Sequence, residues 1–214
     1  MKKLVIVGAG GFGREIAWQI QKNRFIKYNY DILGFVDDDK SKLHTYVNGY
    51  EVIGNLEWLV QYEDFISVVV CIANVNIRKK IIQLLKENPN IDFPVIICDG
   101  VSIADSVFIG EGTIICEHSL ISTNTNIGKH CIIDYHCSIG HDVVIKDLVT
   151  IYPGSNIAGN ILIDKFVEIG SGVQIIQGKN ICSKVVIGAG SVVVRDIVEG
   201  CTYVGVPAKK IDKG

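Results

Sequence analysis

From Ile97 onward every sixth residue is isoleucine, through positions 103, 109, 115, 121, 127, 133, 139, 145, 151, 157, 163, 169, 175, 181 and 187, and Val193 closes the series. No insertion breaks the register. A period of six matches neither an α-helix nor a flat strand. It matches a parallel β-helix, in which each hexapeptide forms one flat side and three sides complete a coil. The isoleucines would then point inward and stack from coil to coil. Residues two positions before them (Val101, Val107, Thr113, Ser119, Thr125, Cys131, Cys137, Val143, Val149 and Ser155) are mostly small, as the inside of a tight corner requires. About 100 residues at roughly 18 per coil give between five and six coils, stacked ~4.8 Å apart.

The first half reads differently. Lys3–Val7 has the pattern of a buried strand, followed by Gly8-Ala9-Gly10-Gly11-Phe12-Gly13 and a helix from about Arg14 to Lys22. Further strands are expected at Ile32–Val36, near Val52–Ile53 and over Ile66–Ala73, with helices around Leu56–Tyr62 and Asn76–Lys86. Alternating strands and helices imply a small parallel sheet with helices on its faces, an α/β Rossmann-like domain. Asn88-Pro89 breaks the last helix and Pro94 marks the approach to the coil. The expected domains are therefore 1–93 and 94–214. Past Arg195-Asp196 the period is lost, and Gly200 to Gly214 should cover the open end of the β-helix, whose last coil would otherwise present unpaired backbone.

The net charge of −2 shows no basic excess of the kind a nucleic-acid binder carries. Seven cysteines are scattered without a CxxC pair, and Cys131 and Cys137 fall in the small corner series, which reads as core packing in a reducing cytosol. The apolar run after Met1-Lys2-Lys3 is short and leads straight into the glycine pattern, unlike a signal peptide. No stretch approaches the ~20 apolar residues of a membrane span. The expectation is a cytoplasmic protein with no membrane insertion and no nucleic-acid partner. The outer faces of the coil carry little charge, and an apolar prism face of this length suits contact between copies of the chain.

Gly8, Gly10 and Gly13 match GxGxxG between a strand and a helix, a turn that lets backbone approach a phosphate and aims helix amides at it. Asp37 lies where an acidic ribose partner would sit. A tight turn without a ligand has the same spacing, and the motif does not separate a nicotinamide cofactor from a nucleotide sugar. The shortness of this half favours a single nucleotide. Among the histidines, His44 sits in a polar loop. His118, His130 and His136 share one phase of the repeat, as surface corner residues would, and His118 and His136 are one coil apart and could stack. His141 differs. It follows an inward isoleucine in Ile139-Gly140-His141-Asp142, where Gly140 would leave room for a ligand and Asp142 could orient the imidazole as a general base. The five-residue spacing of His136 and His141 resembles the metal pair that gamma-class carbonic anhydrases carry on this kind of coil. Such a site also needs a ligand from a neighbouring subunit or a third histidine about two coils earlier. Gly100 and Asp105 stand there instead, so no metal is assigned.

The period, the stretches Pro153-Gly154-Ser155 and Ala158-Gly159-Asn160, and the closing Val204-Gly205-Val206-Pro207-Ala208-Lys209 resemble the hexapeptide-repeat acyltransferases. GAGGFGRE, FVDDD, NVNIRKKI and IGHDVVI resemble, more narrowly, the bacterial nucleotide-sugar N-acetyltransferases of bacillosamine and perosamine precursors, grouped with sialic acid O-acetyltransferases. The resemblance covers nearly the whole chain. It implies a left-handed β-helix, a homotrimer, acetyl-CoA as donor, and a nucleotide-linked amino sugar held by the N-terminal domain. It also implies His141 as catalytic base and Asp142 as its orienting partner. Gly8, Gly10, Gly11 and Gly13 match the phosphate turn, with Asp37 and Asp38 at the base or ribose. Asp134 falls where many relatives have asparagine. Thr150 falls where relatives often carry a second histidine, so stabilisation of the thioester oxyanion would be weaker or would pass to a backbone amide. Ala158, Gly159, Gly170, Gly188 and Ala189 would line the CoA groove, and Lys209 would meet a CoA phosphate. The implied reaction is direct attack of the amine of a nucleotide-linked 4-amino-4,6-dideoxy sugar on acetyl-CoA, without an acyl-enzyme, in bacterial glycan biosynthesis. O-acetylation of sialic acid, or a trimeric module that binds a sugar nucleotide without turning it over, are the other readings the motifs permit.

Overall fold

The computed structural model describes residues 1–23 and 30–211 and divides into two compact units, Met1–Pro94 and Val95–Gly214. In the first, β1 (Lys2–Val7), α1 (Gly11–Asn23), β2 (Tyr30–Val36), β3 (Tyr46–Val47), β4 (Tyr50–Gly54), α2 (Leu56–Val60), β5 (Ile66–Val70), α3 (Val75–Leu85) and β6 (Ile91–Asp92) follow one another. The sheet order is β3-β4-β2-β1-β5-β6, parallel except for the β3–β4 hairpin. Strand order therefore reverses on either side of β1, and the carboxyl ends of β1 and β5 form the crevice where such sheets hold ligands. The central strands carry apolar runs of the kind found where both faces of a sheet are covered: Leu4, Val5 and Ile6 of β1 and Ile66 and Val68 of β5 are fully buried.

Two short strands, β3 and β6, escape sequence reading, since two residues carry no periodicity. Helix α1 begins at Gly11, three residues earlier than the glycine run suggests. The Arg14 N–H already donates to the Gly10 carbonyl at 3.1 Å, so the glycines form the first helical turn. Helix α3 is capped by Asn74, whose side chain accepts from the Asn76 and Ile77 amides.

The second unit is the parallel β-helix of the isoleucine period, in its left-handed form. Seventeen two-residue strands, β7 (Ile96–Ile97) to β23 (Val192–Val193), recur every six residues, and all but the last three pair in parallel with the strand eighteen residues on. Three faces result. The first holds the strands ending at Ile97, 115, 133, 151, 169 and 187; the second those at Ile103, 121, 139, 157, 175 and Val193; the third those at Ile109, 127, 145, 163 and 181. Isoleucine pairs with isoleucine across the inner rungs, as in Ile115↔Ile133↔Ile151, until the last ones, Ile175↔Val193 and Ile187↔Tyr203. Most of this column is at most 2 % exposed, and burial of each side chain contributes about 1.5–3 kcal/mol.

The corners explain two further patterns. The third residue after each inward isoleucine takes a left-handed backbone, with φ between +54° and +74° from Gly100 to Gly190, Ser106 being the exception. Asparagine, aspartate, histidine and glycine enter this region most readily. His118, His130, His136 and Asp142 all occupy it. The shared phase of the three histidines thus has a conformational cause. His118 and His136 stack, with centroids 5.2 Å apart and planes 15° from parallel. The small residues two before each isoleucine also do more than fit. Thr113, Ser119, Thr125, Cys131, Cys137 and Ser155 each hydrogen-bond the carbonyl fifteen residues on (Gly128, Asp134, Gly140, Lys146, Tyr152 and Gly170), at 2.8–3.3 Å.

Ile197 still bridges to Ile181 after the period ends. The tail then forms β24 (Thr202–Val204), parallel to the first-face strand Val186–Ile187, and β25 (Lys209–Ile211), antiparallel to β24. The Val192 N–H donates to Gly205 O and the Ala208 N–H to Val192 O, so the tail occupies hydrogen-bonding groups of the last coil.

Candidate active site

At the corner after the second face, the His141 Nδ1 lies 2.8 Å from Asp142 Oδ2. Asp142 stands in the left-handed position, φ +55°, which turns its carboxylate back toward the preceding imidazole. Its other oxygen, Oδ1, accepts from Asn124 Nδ2 at 3.1 Å. The His141 and Asn124 contacts hold the Asp142 carboxyl below the usual carboxylate range. An ionised carboxylate only accepts, so Nδ1 carries the ring proton and Nε2 of the neutral imidazole keeps its lone pair. That nitrogen faces the next coil: a Cβ on Gly159 would come within 2.5 Å of it. Both side chains are about half exposed, open to a substrate.

Gly140 does not open space for a ligand. A Cβ there would lie 2.6 Å from the Ala158 carbonyl carbon and 2.7 Å from the Gly159 nitrogen, so the glycine is required for coil-to-coil approach. The same holds for Gly170, where a Cβ would meet the Ala189 nitrogen at 2.6 Å, and for Gly188, where it would meet Val204 of the tail. Of the residues expected at a CoA groove, Ala158 and Gly159 share the corner of His141, one coil on. Gly170, Gly188 and Ala189 lie on the corner after the first face, and Lys209 is an exposed residue of β25. Asp134 shares that first corner and caps the Tyr135 amide at 2.8 Å. Thr150 sits on the first face, buried, between Ile132 and Glu168 in the ladder. Within one chain, Asp134 and Thr150 are thus on a different side of the prism from His141.

The cysteines of the inner corners are buried. Burial pushes the Cys137 thiol up to about 11, which leaves almost no thiolate at neutral pH. Among the described residues no group of three or more histidine, cysteine, aspartate or glutamate side chains is placed to hold a metal, and no helix is long and apolar enough to cross a membrane.

In the first unit the four glycines play separate parts. Gly8 turns the chain with φ +102°, and a Cβ on Gly13 would stand 1.8 Å from the Gly8 carbonyl oxygen, so Gly13 is required for helix-on-strand contact. Gly10 and Gly11 are crowded by nothing: a Cβ on Gly10 meets no atom within 4 Å. Bare backbone at the start of α1 thus borders open space, beside first-turn amides that have no partner within the helix. Asp37 braces this turn, its Oδ2 accepting from the Ala9 N–H at 2.9 Å and Lys42 Nζ at 3.0 Å, its Oδ1 from the Asp39 N–H. Burial alone would raise its pKa; the Asp39 amide, Lys42 and the Ala9 amide together hold it low. Asp38 caps Leu56 at 2.9 Å and, with Lys40, Asn55 and Leu84, lines an open cavity of about 420 Å³. Sequence reading singled out His141 and Asp142 by phase, and the structure brings the two side chains together; it did not single out Asn124, whose one signal is its place eighteen residues before Asp142.

The PglD N-terminal domain model matches residues 3–85. No curated protein gives a significant sequence match. Among solved structures, WeeI from Acinetobacter baumannii AYE is 30 % identical over 99 % of this chain and 100 % of its own, with a TM-score of 0.89. The acetyltransferase domain of PglB from Neisseria gonorrhoeae FA1090 is 29 % identical over 99 % and 100 %, TM-score 0.89, and its complex with acetyl coenzyme A is equally similar over 98 % and 99 %. A variant of perosamine N-acetyltransferase from Caulobacter crescentus, in complex with CoA and GDP-perosamine, shares the fold at 24 % identity, over 100 % of this chain and 98 % of its own, with a TM-score of 0.88.

Proposed function

We propose a reaction for this chain from the family to which it belongs, the hexapeptide-repeat acetyltransferases that carry a PglD-type N-terminal domain. The chain is an acetyltransferase with acetyl-CoA as co-substrate. Its acceptor, in our reading, is the amine of a nucleotide-linked 4-amino-4,6-dideoxy sugar used in bacterial glycan assembly. The His141–Asp142 pair carries this reading, with the second ring nitrogen of His141 lying over the bare backbone of Gly159.

The uncrowded backbone at Gly10 and Gly11 would take the diphosphate, and the cavity at Asp38 the nucleoside. Gly159, lacking a side chain, makes room for the imidazole itself, and the acetyl-bearing arm would run past this corner along Ala158. As the amine attacks the thioester carbonyl, Nε2 of His141 takes its proton, and the carboxylate of Asp142 stabilises the imidazolium that forms. The departing group leaves as the CoA thiol, and no acyl-enzyme forms. Asp134 and Thr150 lie on another side of the prism in each chain, as do Gly170, Gly188 and Ala189. A homotrimer with three-fold symmetry would set the first corner of one copy against the second corner of the next and complete the site there. Acetyl-CoA supply places the protein in the cytoplasm in this reading.

The test mixes the protein and acetyl-CoA with UDP-, GDP- and dTDP-linked 4-amino sugars and with sialic acid, and follows release of free CoA thiol. Release with one amino sugar, lowered 10²–10⁴-fold in a folded His141→Ala, is the expected result. Turnover of sialic acid alone would make the acceptor a hydroxyl. Full activity in His141→Ala would remove the base from the mechanism. Tight sugar-nucleotide binding with no affinity for acetyl-CoA would overturn the catalytic reading.

A further inference from the structure

We propose that Asn124 is a positioning residue of the acetyl-transfer site, fixing the carboxylate of Asp142 so that one oxygen is reserved for His141. The inference rests on the His141–Asp142 reading above. At the corner after the second face, Ser106, Asn124 and Asp142 occupy equivalent places in three successive coils. Asn124 Nδ2 donates to Asp142 Oδ1 at 3.1 Å, while Asp142 Oδ2 meets His141 Nδ1 at 2.8 Å. One amide thus engages the oxygen that the imidazole does not use, and the carboxylate cannot turn about its Cβ–Cγ bond without losing both bonds. Loss of that orientation would let the imidazole swing, or adopt the tautomer whose Nε2 carries the proton.

A second observation singles out this corner. At other corners the amide of the left-handed residue donates to the carbonyl nineteen residues before it, as Asp142 does to Thr123, Asn160 to His141 and His136 to Glu117. The Asn124 amide instead donates to the Ser106 hydroxyl at 2.8 Å, and Ser106 is the one position of the series without a left-handed backbone. A side chain therefore holds Asn124, which holds Asp142, which orients His141. The residues stacked below and above the pair, Thr123, Asn124, Gly159 and Asn160, carry no charge. The orienting work thus falls to hydrogen bonds rather than to a nearby cation. Asparagine has a conformational reason to stand here, φ +57°, but Asn160 shares that φ one coil on and gives Asp142 no hydrogen bond.

Two substitutions separate orientation from backbone preference. Asn124→Gly keeps the left-handed backbone and removes the amide. Asn124→Asp keeps the shape and sets a second carboxylate beside Asp142. Both are compared with the parent, with His141→Ala, and with Lys184→Gly, a left-handed corner far from the pair. With acetyl-CoA and the preferred amino sugar, Asn124→Gly should lower kcat about tenfold with KM for acetyl-CoA within twofold, the loss expected of one transition-state-aligned hydrogen bond. Asn124→Asp should also move the acid limb of the kcat/KM profile to higher pH, because added negative charge favours the imidazolium. Nitrogen-15 NMR of histidine-labelled protein, with His141 assigned by its loss in His141→Ala, reads the tautomer without turnover. The parent should show Nδ1–H only, and Asn124→Gly a mixture. Parent-like kcat, pH limb and tautomer in both variants, with His141→Ala inactive, would overturn the role of Asn124 and leave the function standing. An active His141→Ala would overturn both. If Asn124→Gly fails to fold while Lys184→Gly does not, the tautomer and acid limb of Asn124→Asp decide.

Discussion

Single side chains in this protein divide by whether packing or chemistry requires them, and adding one methyl group tells the two apart. Gly13→Ala drives a Cβ into the Gly8 carbonyl and should cost about 1–3 kcal/mol or more in a thermal or denaturant melt. Gly10→Ala meets nothing, so its melt should match the parent within about 0.5 kcal/mol. Its effect should appear in sugar-nucleotide affinity by calorimetry, since the methyl group occupies the space over the turn. Asp37 gives a pH signature. Its folded pKa lies below the unfolded value of about 3.9, so its stabilising contribution is complete above pH ~4 and is lost as pH falls through the folded pKa. Asp37→Asn should therefore melt below the parent at pH 7, by about 1–3 kcal/mol, and the two curves should converge in acid. The residues of the His141–Asp142 pair were legible because their phase and order are local. Asn124 was not, because its relation to Asp142 appears only after the coil has been wound. Gly140 misled for the same reason: its crowding comes from a coil eighteen residues away.

Coils and corners carry the stability that holds those residues still. The hydroxyl and thiol ladder inside the corners supplies donors to carbonyls that strand pairing leaves over, a function that the small size of these residues conceals in the sequence. Thr125 donates to the Gly140 carbonyl at 2.8 Å, directly before His141. Thr125→Val keeps the shape and leaves that acceptor without its donor in the core. The expected cost is about 1–3 kcal/mol in a melt, with a drop in kcat larger than for the equivalent Ser155→Val away from the pair. The isoleucine period made the place of each strand and its inward residue readable. By contrast, β3 and β6 lack enough length for a pattern, and the start of α1 was hidden by glycines that usually end helices rather than begin them.

At the scale of the molecule, the tail is part of the fold rather than an appendage. It accepts from Val186, Gly188 and Val192 through Cys201, Tyr203 and Gly205. A chain ending at Glu199 should therefore elute from size exclusion with light scattering as species larger than the parent, because an open coil edge pairs with other chains. That a tail would cover this end was legible; that it would do so as a hairpin extending the first face was not, since its pairing is set by geometry beyond the period.

The unbroken rung of eighteen residues has one more consequence, for how such a chain can change length. Each outward position has an address made of a storey and a side. Removing six residues from the staircase would carry everything after the cut round to the next side, and Asp142 would no longer stand above Asn124 if the cut fell between them. Removing eighteen, for example residues 161–178, takes out one storey and leaves every remaining address on its own side. Insertions and deletions in this half of the protein are thus quantised, and a shorter or taller descendant can keep its chemistry only by changing in whole turns.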